Sequence, residues 1–594
     1  MNDEFPIPGS SLAVSPFATC PVGDIPVSRS LIAAAAVVAL VIFVMPLGIG
    51  FPLLDPDEGL HASIAQEMVE RGDWAIPRFL GQPFSDKPIL YSWTQAVSLL
   101  CLGDREAAVR LPGLMFGLLG AITTGLLAAA MFDRRTGWIA GLLYATTILP
   151  TAMAQAASHD VALAPWINLT LLLLWQSHRR TSGRTTVGCT VAAGFFLGLS
   201  ILTKGLVGVA VVGLAYGGWL LFSGQVRWNV LARGSLLLLT AALVAAPWYL
   251  AVERQNPGYL VYYFVDRHLL GFATDSQRHA HQPWWYYLPI LIGGGLPWIG
   301  YLPIAVRDSF ERRRAAAQRA ATERPSTQSP FPLLWCWLLG WPALLMLSRS
   351  KLATYLWPAF PPMAILVAVV WARLIAGTLG TSARQAFAKT LVSSSWTGPI
   401  LLPATVRIAQ IVFHIQLSWR AWLVVCIAAA LAPLPLAVWR VAERQRDAAG
   451  AAAYREMVLA MGAVSMAAQF AAIMTLVLPP VVEQFSARDL AHHFNQVGQL
   501  PPRLWLAEQR VGSIVFYLEP GLRDSLRPDQ IRALAAGQRA QLEAGHVVAV
   551  PQSAAKRGAP RIDLGDAPFQ QVGHYRLYTL AAPWALPSDN DPKK

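Results

Sequence analysis

Long uncharged runs separated by short polar segments fill the chain from about residue 30 to residue 480. A helix needs about 20 apolar residues to cross the hydrocarbon core of a bilayer, and each run is near that length. Twelve runs are clear: 31–53, 110–131, 137–154, 161–177, 187–203, 206–222, 234–251, 284–306, 331–348, 353–372, 421–439 and 456–479. The pattern predicts a bundle of membrane-spanning helices.

Basic residues between the runs predict which helix ends face the cytoplasm. They cluster at 134–135, 178–184, 227–233, 307–324 and 440–446. Positive residues favour cytoplasmic loops. The N-terminus is therefore expected inside and residues 54–109 outside. An odd number of crossings is then required between Leu352 and Arg440, where only two runs are obvious.

A weaker thirteenth span is predicted at 389–413 to satisfy this parity. Gly398, Pro399 and Pro403 interrupt the segment, and Arg407 adds a charge. Irregular backbone at membrane depth is tolerated only where protein or a water-filled cavity surrounds it, so a re-entrant or surface segment is the alternative.

From about residue 480 onward the chain no longer contains apolar runs long enough to span a membrane. "SARDLAHHFNQ" and "LRPDQIRALAAG" are typical of helices, whereas "RLWLAEQ", "HVVAVP" and "YRLYTL" are typical of strands. Three parts are predicted: a cytoplasmic N-terminal segment (1–30), a transmembrane domain (31–479) and an extracytoplasmic soluble α/β domain (480–594). The fold class is a mainly α, polytopic membrane protein with about 13 transmembrane helices and a small C-terminal α/β domain.

Two loops are too long to be simple connectors. The first, 54–109, contains "EGLHASIAQEMVERG" and "KPILYSWTQAVSLLCLG", in which apolar residues recur at helical spacing. These segments predict two extracytoplasmic interfacial helices. The second large loop, 252–283, carries Arg267, His268, Arg278, His279 and His281.

Composition agrees with a membrane protein, since hydrophobic residues make up 55% of the chain and charged residues 14%. The net charge of +13 lies in short loops, as the positive-inside rule expects, and does not indicate nucleic acid. Five cysteines are scattered without a CxxC motif, so neither a disulfide framework nor a thiolate metal site is predicted.

Residues that could act in catalysis or binding are concentrated on the predicted outer side of the membrane. Asp57 precedes the first interfacial helix, with Glu58 beside it, and Lys87 precedes the second. Asp160 and Lys204 lie at outer span ends. Other interpretations stay open: Asp57 or Asp55 caps a helix and Glu58 complements its dipole, and lysines at span ends extend towards water.

Acidic and cationic side chains on the same face of a membrane are suited to a transfer reaction with a phosphate leaving group. Cations stabilise the charge that grows on a phosphate leaving group, and an acid can hold an acceptor or take its proton. A secondary transporter would instead be expected to place ionisable groups near mid-depth. The pattern favours sugar transfer from a polyprenyl phosphate.

Six segments carry a resemblance to a known family: "DPDEGLHASIAQEMVERGDWAIPRFLGQPFSDKPILYSW", "SHDVALAPW", "LTKGLVG", "RHLLGF", "HQPWWYYLP" and "SRSKLATYLWPAFPPMA". Together they resemble the bacterial ArnT-like lipid A aminoarabinose transferases of the protein O-mannosyltransferase superfamily, which have the GT-C fold. The resemblance covers about residues 30–375.

The resemblance implies roles for individual residues. Asp57, Glu58 and Asp160 would be the catalytic acids. The residues expected to bind substrate are Lys87, Lys204, Arg267, Lys351 and Tyr355. The family's Glu-Lys-Pro motif reads Asp86-Lys87-Pro88 here. No cofactor follows from the residues alone, but the resemblance implies a divalent metal ion near Asp86 and His268.

The implied activity moves 4-amino-4-deoxy-L-arabinose from undecaprenyl phosphate to a lipid A phosphate. The implied location is a bacterial inner membrane, among membrane lipids, with the active site and C-terminal domain on the periplasmic side. One alternative is transfer from a polyprenyl-phosphate sugar to another periplasmic acceptor, such as a glycan or protein hydroxyl. A membrane transporter or lipid flippase is the alternative from another class.

Overall fold

A computed structural model describes residues 27–179, 183–273, 282–320, 329–507, 511–534, 541–552, 568–580 and 584–585. Arg278, His279, His281 and most of the predicted N-terminal segment lie outside these residues.

Helices form nearly all of the described membrane part. In chain order they are α1 (Arg29–Ala39), α2 (Asp57–Arg71), α3 (Leu90–Leu102), α4 (Glu106–Met131), α5 (Arg134–Ala145), α6 (Ile148–Ala154), α7 (Leu163–Arg179), α8 (Gly183–Lys204), α9 (Val207–Val212), α10 (Gly218–Phe222), α11 (Trp228–Gln255), α12 (Gly271–Ala273), α13 (Tyr287–Gly294), α14 (Leu302–Ala320), α15 (Phe331–Leu347), α16 (Phe360–Ile375), α17 (Thr381–Phe413), α18 (Trp419–Ala430), α19 (Leu434–Arg444), α20 (Ala448–Ala472) and α21 (Leu478–Val482). Short 3₁₀ or π segments extend or join them at Leu40–Val44, Met45–Gly48, Gly213–Gly217, Val261–Leu270, Trp298–Tyr301, Ala353–Ala359, Ile473–Val477 and Glu483–Phe485.

This is a multi-pass membrane protein. Within the described residues, eight helices are long and apolar enough to cross a membrane, or up to ten if each of two bent helix pairs is one span. The pairs are α5 with α6, bent by 66°, and α13 with the helix at Trp298–Arg312, bent by 99°. Every one of the thirteen predicted runs falls on helical structure, while the exact number of crossings stays a prediction.

The weak segment at 389–413 lies inside one continuous helix, α17. Pro399 and Pro403 are both accommodated within it, and the helix passes the same test of length and hydropathy as the clear spans. Since the backbone does not turn back within 389–413, a crossing describes this segment better than the re-entrant alternative.

Small residues let the spans approach closely. Where α4 meets α5, a methyl group added at Gly137 would lie 2.6 Å from the Gly125 carbonyl oxygen. Nearby, the side-chain amide of Asn168 donates to the hydroxyls of Thr123 and Thr124 at 3.1 and 3.0 Å. Close packing and interhelical hydrogen bonds replace the hydrophobic effect as the attraction between helices in lipid.

The first outer loop folds as predicted into two helices, α2 and α3, with a small antiparallel hairpin between them, β1 (Arg78–Phe79) and β2 (Gln82–Pro83). However, α2 is not simply laid on the membrane surface. Ala62, Ile64 and Ala65 are fully buried, because the helix is packed between the transmembrane bundle and the C-terminal domain.

The C-terminal domain contains α22 (Arg488–Val497), α23 (Gly512–Tyr517) and α24 (Pro520–Asp524). Its strands are β3 (Leu504–Ala507), β4 (Ile531–Leu534), β5 (Gln541–Leu542), β6 (Val547–Pro551), β7 (Phe569–Val572), β8 (Tyr575–Thr579) and β9 (Trp584–Ala585). The main sheet has the order β4-β3-β6-β8-β7, with β3 parallel to β4 and β6 and the other pairs antiparallel. The separate β5 pairs with β9.

One predicted element of this domain is wrong. The segment "LRPDQIRALAAG" was expected to form a helix, but Ile531–Leu534 is strand β4. Ile531 and Leu534 are buried while Arg532 is exposed. Pairing with β3 supplies hydrogen bonds that the isolated segment cannot anticipate, so tertiary context overrides local propensity.

Candidate functional site

Asp57 is the first residue of α2, and its side chain is exposed. Pro56 occupies the cap position and makes no side-chain cap hydrogen bond. Asp55 is buried, and its carboxylate accepts hydrogen bonds from the backbone N–H (2.9 Å) and the hydroxyl of Ser513. Asp57 is therefore not the cap residue of α2, and the Asp55 carboxylate is bonded to the C-terminal domain.

Glu58 has a different environment from its neighbour. Its carboxylate is buried and accepts hydrogen bonds from Arg110 Nη2 (2.8 Å) and Nε (3.1 Å). It also accepts from the backbone N–H groups of Leu54 (2.9 Å) and Ala157 (3.2 Å). The described contacts thus make Glu58 a fixed anchor between loop and bundle, and its catalytic role stays a prediction.

Arg110, which sequence reasoning did not single out, completes this anchor. Its guanidinium also donates to the carbonyls of Phe51 (2.7 Å) and Pro52 (2.8 Å). The only signal in the sequence was a cation at the start of the second apolar run. Breaking such a buried pair leaves an uncompensated charge, which costs about 3–5 kcal/mol.

Lys87 lies half-buried at the mouth of the bundle. Burial lowers the pKa of its ammonium, and the charge of Arg267 lowers it further, whereas Asp86 and Asp57 oppose the shift. The charges of Arg267, Asp86 and Asp57 therefore all act on Lys87. An additional anion would relieve the repulsion between the two cations.

Arg267 joins the second outer loop to the first. Its Nη2 lies 3.2 Å from Asp86 Oδ2, and the hydroxyl of Tyr262 donates to Asp86 Oδ1 at 2.8 Å. Both Arg267 and Tyr262 come from the π segment at Val261–Leu270. The Asp86 side chain therefore fixes how the two loops meet beside Lys87.

A second charged pair is formed by Asp160 and Lys204, which are buried and in direct ionic contact. The Lys204 ammonium also lies 4.4 Å from the centre of the Tyr355 ring, a distance suited to a cation–π interaction. The structure thus brings together three residues that the sequence placed in separate motifs.

Gly205 allows the turn after Lys204 to form. Its φ is +64°, a left-handed conformation that favours glycine, and a methyl group there would lie 2.5 Å from His268 Nε2. The turn "LTKGLVG" therefore holds Lys204 close to the second outer loop.

Lys351 is buried in the turn before Ala353–Ala359, and its ammonium donates to the Ser348 carbonyl. This described contact ties it to its own turn rather than to the Asp160–Lys204 pair. Its expected role in substrate binding stays a prediction.

The contacts of Asp86 and His268 do not favour a metal site. His268 Nδ1 lies 2.7 Å from the Tyr263 carbonyl, the Lys204 backbone also hydrogen-bonds to the ring, and Asp86 is bonded to Arg267 and Tyr262. Across the described ranges, no group of three or more His, Cys, Asp or Glu side chains could hold a metal ion. The divalent metal ion that the resemblance implies near Asp86 and His268 stays a prediction.

Two buried histidines, His61 and His159, lie near Lys87. The rings of His61 and His159 are 4.5 Å apart, and His159 is 4.8 Å from the Tyr91 ring. Burial, aided by the charge of Lys87, lowers the pKa of His61 to about 3. Burial and the charges of His61, Lys87 and Lys204 lower the pKa of His159 well below its usual range. Both rings are neutral near pH 7, so they add no further positive charge.

Sequence comparison agrees with this geometry. The family described as dolichyl-phosphate-mannose-protein mannosyltransferase matches residues 86–251. A relative from Edwardsiella ictaluri, named undecaprenyl phosphate-alpha-4-amino-4-deoxy-L-arabinose arabinosyl transferase, is 33% identical over 339 residues, which are 56% of this chain and 58% of the relative. A relative of the same name from Pseudomonas aeruginosa is 34% identical over 317 residues, 52% of this chain and 54% of the relative. The chain therefore spans little more than half the length of these curated relatives.

Structural similarity extends over nearly the whole chain. The crystal structure of ArnT from Cupriavidus metallidurans bound to undecaprenyl phosphate superposes with a TM-score of 0.67 at 22% identity, covering 92% of this chain and 97% of that one. The chain has the ArnT fold. The apo structure of the same ArnT gives a TM-score of 0.66 at 23% identity, with 92% and 96% covered. The expected GT-C fold and the resemblance to ArnT-like proteins are thus confirmed.

Proposed function

We propose that this protein is an integral membrane glycosyltransferase that moves 4-amino-4-deoxy-L-arabinose from undecaprenyl phosphate to a phosphate of lipid A. The observation that carries the proposal is the group formed by Asp57, Lys87, Asp86 and Arg267 at the outer mouth of the bundle. Relatives that are about one third identical to this chain, over little more than half of its length, bear the name of this activity, and the ArnT crystal structure contains undecaprenyl phosphate.

The polyprenyl phosphate is the leaving group of the proposed reaction. As the bond between the sugar's anomeric carbon and the phosphate oxygen breaks, its electron pair stays on the phosphate, where negative charge grows. Lys87 and Arg267 repel one another, and Lys204 lies beside Tyr355. Preorganised cations stabilise such charge most strongly where water is excluded.

The second step is attack by the acceptor. An oxygen of a lipid A phosphate is already ionised near neutral pH, so it forms the new bond to the anomeric carbon without a general base. Asp57 is then free to bind the ammonium of the aminosugar through a charge-assisted hydrogen bond. Asp160 is engaged with Lys204 and holds that cation in place.

A hydroxyl acceptor on a glycan or protein is the second candidate, and it would need a base to remove its proton. The exposed carboxylate of Asp57 could serve that purpose, which is why this alternative is kept. A transporter or flippase is less well supported, because the described site lies at the outer ends of the helices rather than at mid-depth.

Mass spectrometry of lipid A from cells with and without the gene tests the proposed function. We expect a species heavier by one aminopentose residue only when the gene is present. The matched control is a strain that expresses the Asp57→Asn protein at the same level. If lipid A is unchanged while another periplasmic glycan or protein gains a sugar, the hydroxyl-acceptor alternative replaces the proposal.

We further propose that the protein lies in the bacterial inner membrane with the site and the C-terminal domain on the periplasmic side. The positive-inside pattern supports this orientation. Single cysteines at Arg446 and Ser525, both exposed, test it in a chain whose five native cysteines are replaced. In intact cells with a permeable outer membrane, an impermeant maleimide should label position 525 and spare position 446. The reverse result would invert the topology, and labelling of 446 only after lysis is the internal control.

A further inference from the structure

One short helix of the C-terminal domain, α23, packs against the start of α2 beside the candidate site. Gly512 and Gly59 form the closest approach, since a methyl group on either would overlap the backbone of the other helix. The hydroxyl of Ser63, one turn further along α2, donates to the Gly512 carbonyl at 2.8 Å. The two helices therefore meet backbone to backbone at Gly59 and Gly512.

Ser513 holds the segment just before α2. Its backbone N–H and its hydroxyl both donate to the Asp55 carboxylate. Its oxygen also accepts the backbone N–H of Ala487 at 2.8 Å, which links the same point to the start of α22. Asp55 is 6% exposed and Ser513 fully buried. Hydrogen bonds to a charged group are strong when both partners are shielded from water.

Further contacts attach the remainder of α23 to the outer loop. The hydroxyl of Tyr517 accepts from the Leu53 backbone N–H at 2.9 Å and donates to Glu106 at 3.0 Å. The Gln66 amide donates to the Phe516 carbonyl at 3.3 Å. The chain is thus held before Asp57, at Leu53 and Asp55, and after it, along α2.

We propose that α23 is a positioning element for Asp57, with Gly512 and Ser513 fixing the first turn of α2 so that the exposed carboxylate points into the site. The proposal rests on the proposed function of Asp57 in sugar transfer. Asp57 lies between two residues that α23 holds, Asp55 and Gly59, and Pro56, at the cap position of α2, makes no side-chain cap hydrogen bond. The C-terminal domain thereby sets the geometry of the site without supplying a reacting group.

Gly512→Ala in the full-length protein tests the proposal, because the added methyl group must push α23 away from Gly59 and Leu60. We expect kcat to fall by about tenfold or more, since small displacements of a group that orients the reacting sugar cost much of the rate. Gly521→Ala, in α24 of the same domain, is the matched control, because a methyl group there meets no atom within 4 Å.

A double variant that carries both Gly512→Ala and Asp57→Asn distinguishes loss of the positioning of Asp57 from a general loss of activity. If α23 acts through Asp57, Gly512→Ala should change the residual rate of the Asp57→Asn protein by less than about twofold, because the two changes then remove the same contribution. Fully additive losses, or a Gly512→Ala protein with wild-type kcat, would overturn the proposal. Should Gly512→Ala not fold, Ser513→Ala keeps the backbone bond to Asp55 and is expected to lower kcat in the same direction by less.

Hydrogen exchange supplies a readout that does not depend on activity. Amides of residues 53–62 should exchange faster in Gly512→Ala than in wild type or Gly521→Ala, while those of α20 stay unchanged. If wild type transfers no aminosugar, the proposed function fails, and the exchange result alone decides whether α23 orders this turn. Unchanged exchange at 53–62 would show that it does not.

Discussion

Asp57→Asn is expected to lower sugar transfer by on the order of 10²-fold or more while leaving the protein folded. The substitution preserves the shape of the side chain and removes the charge that would bind an ammonium or accept a proton. Stability should change little, because Asp57 is exposed and does not cap α2. Transfer from undecaprenyl-phosphate aminoarabinose to lipid A in membranes of equal protein content is the measurement.

The control for this experiment follows from the structure. Asp55→Asn is a poor control, because Asp55 is buried and bonded to Ser513, so its loss also disturbs the C-terminal domain. Asp266→Asn is the better match, because Asp266 is an exposed carboxylate of the second outer loop. Similar, small effects of Asp57→Asn and Asp266→Asn would remove Asp57 from the site.

Lys87→Ala should reduce transfer by roughly 10²- to 10³-fold, the usual cost of removing a group that stabilises transition-state charge. The folded protein should tolerate this change, since the pKa of Lys87 is lowered by burial and by Arg267. A lysine with a lowered pKa is less stable in its charged form here than in water, so its removal relieves the repulsion from Arg267. The assay is donor-dependent transfer, with the amount of folded protein measured by gel filtration in detergent.

Arg71→Ala provides the comparison for Lys87. Arg71 is a cation of the same outer loop, its side chain is about half exposed, and it pairs with Glu67 one turn earlier in α2. Exposed pairs of this kind contribute little. Near-normal transfer by a well-folded Lys87→Ala protein would exclude Lys87 from phosphate binding, whereas equal losses in both variants would indicate a general effect of loop charge.

The architecture of the membrane part could be predicted because a bilayer leaves few choices. Backbone groups in lipid must be satisfied within the segment, so each long apolar run had to become a helix. Even α17, with Pro399 and Pro403, followed from the parity of basic loops. The helices α2 and α3 followed from apolar periodicity, and Asp57 and Lys87 stood out because charges at the starts of these elements are conspicuous in such an apolar chain.

What the tertiary structure decided was the partner of each charge. Glu58 pairs with Arg110, 52 positions away, and Asp55 meets Ser513, 458 positions away. The rings of His61 and His159, which are far apart in the sequence, also come into contact. The segment of β4 forms a strand because β3 lies beside it. Local periodicity reports only which side of an element is apolar. Which distant group meets a buried carboxylate depends on how the elements pack, and this placed Asp55 and Glu58 in supporting contacts and left Asp57 exposed at the site.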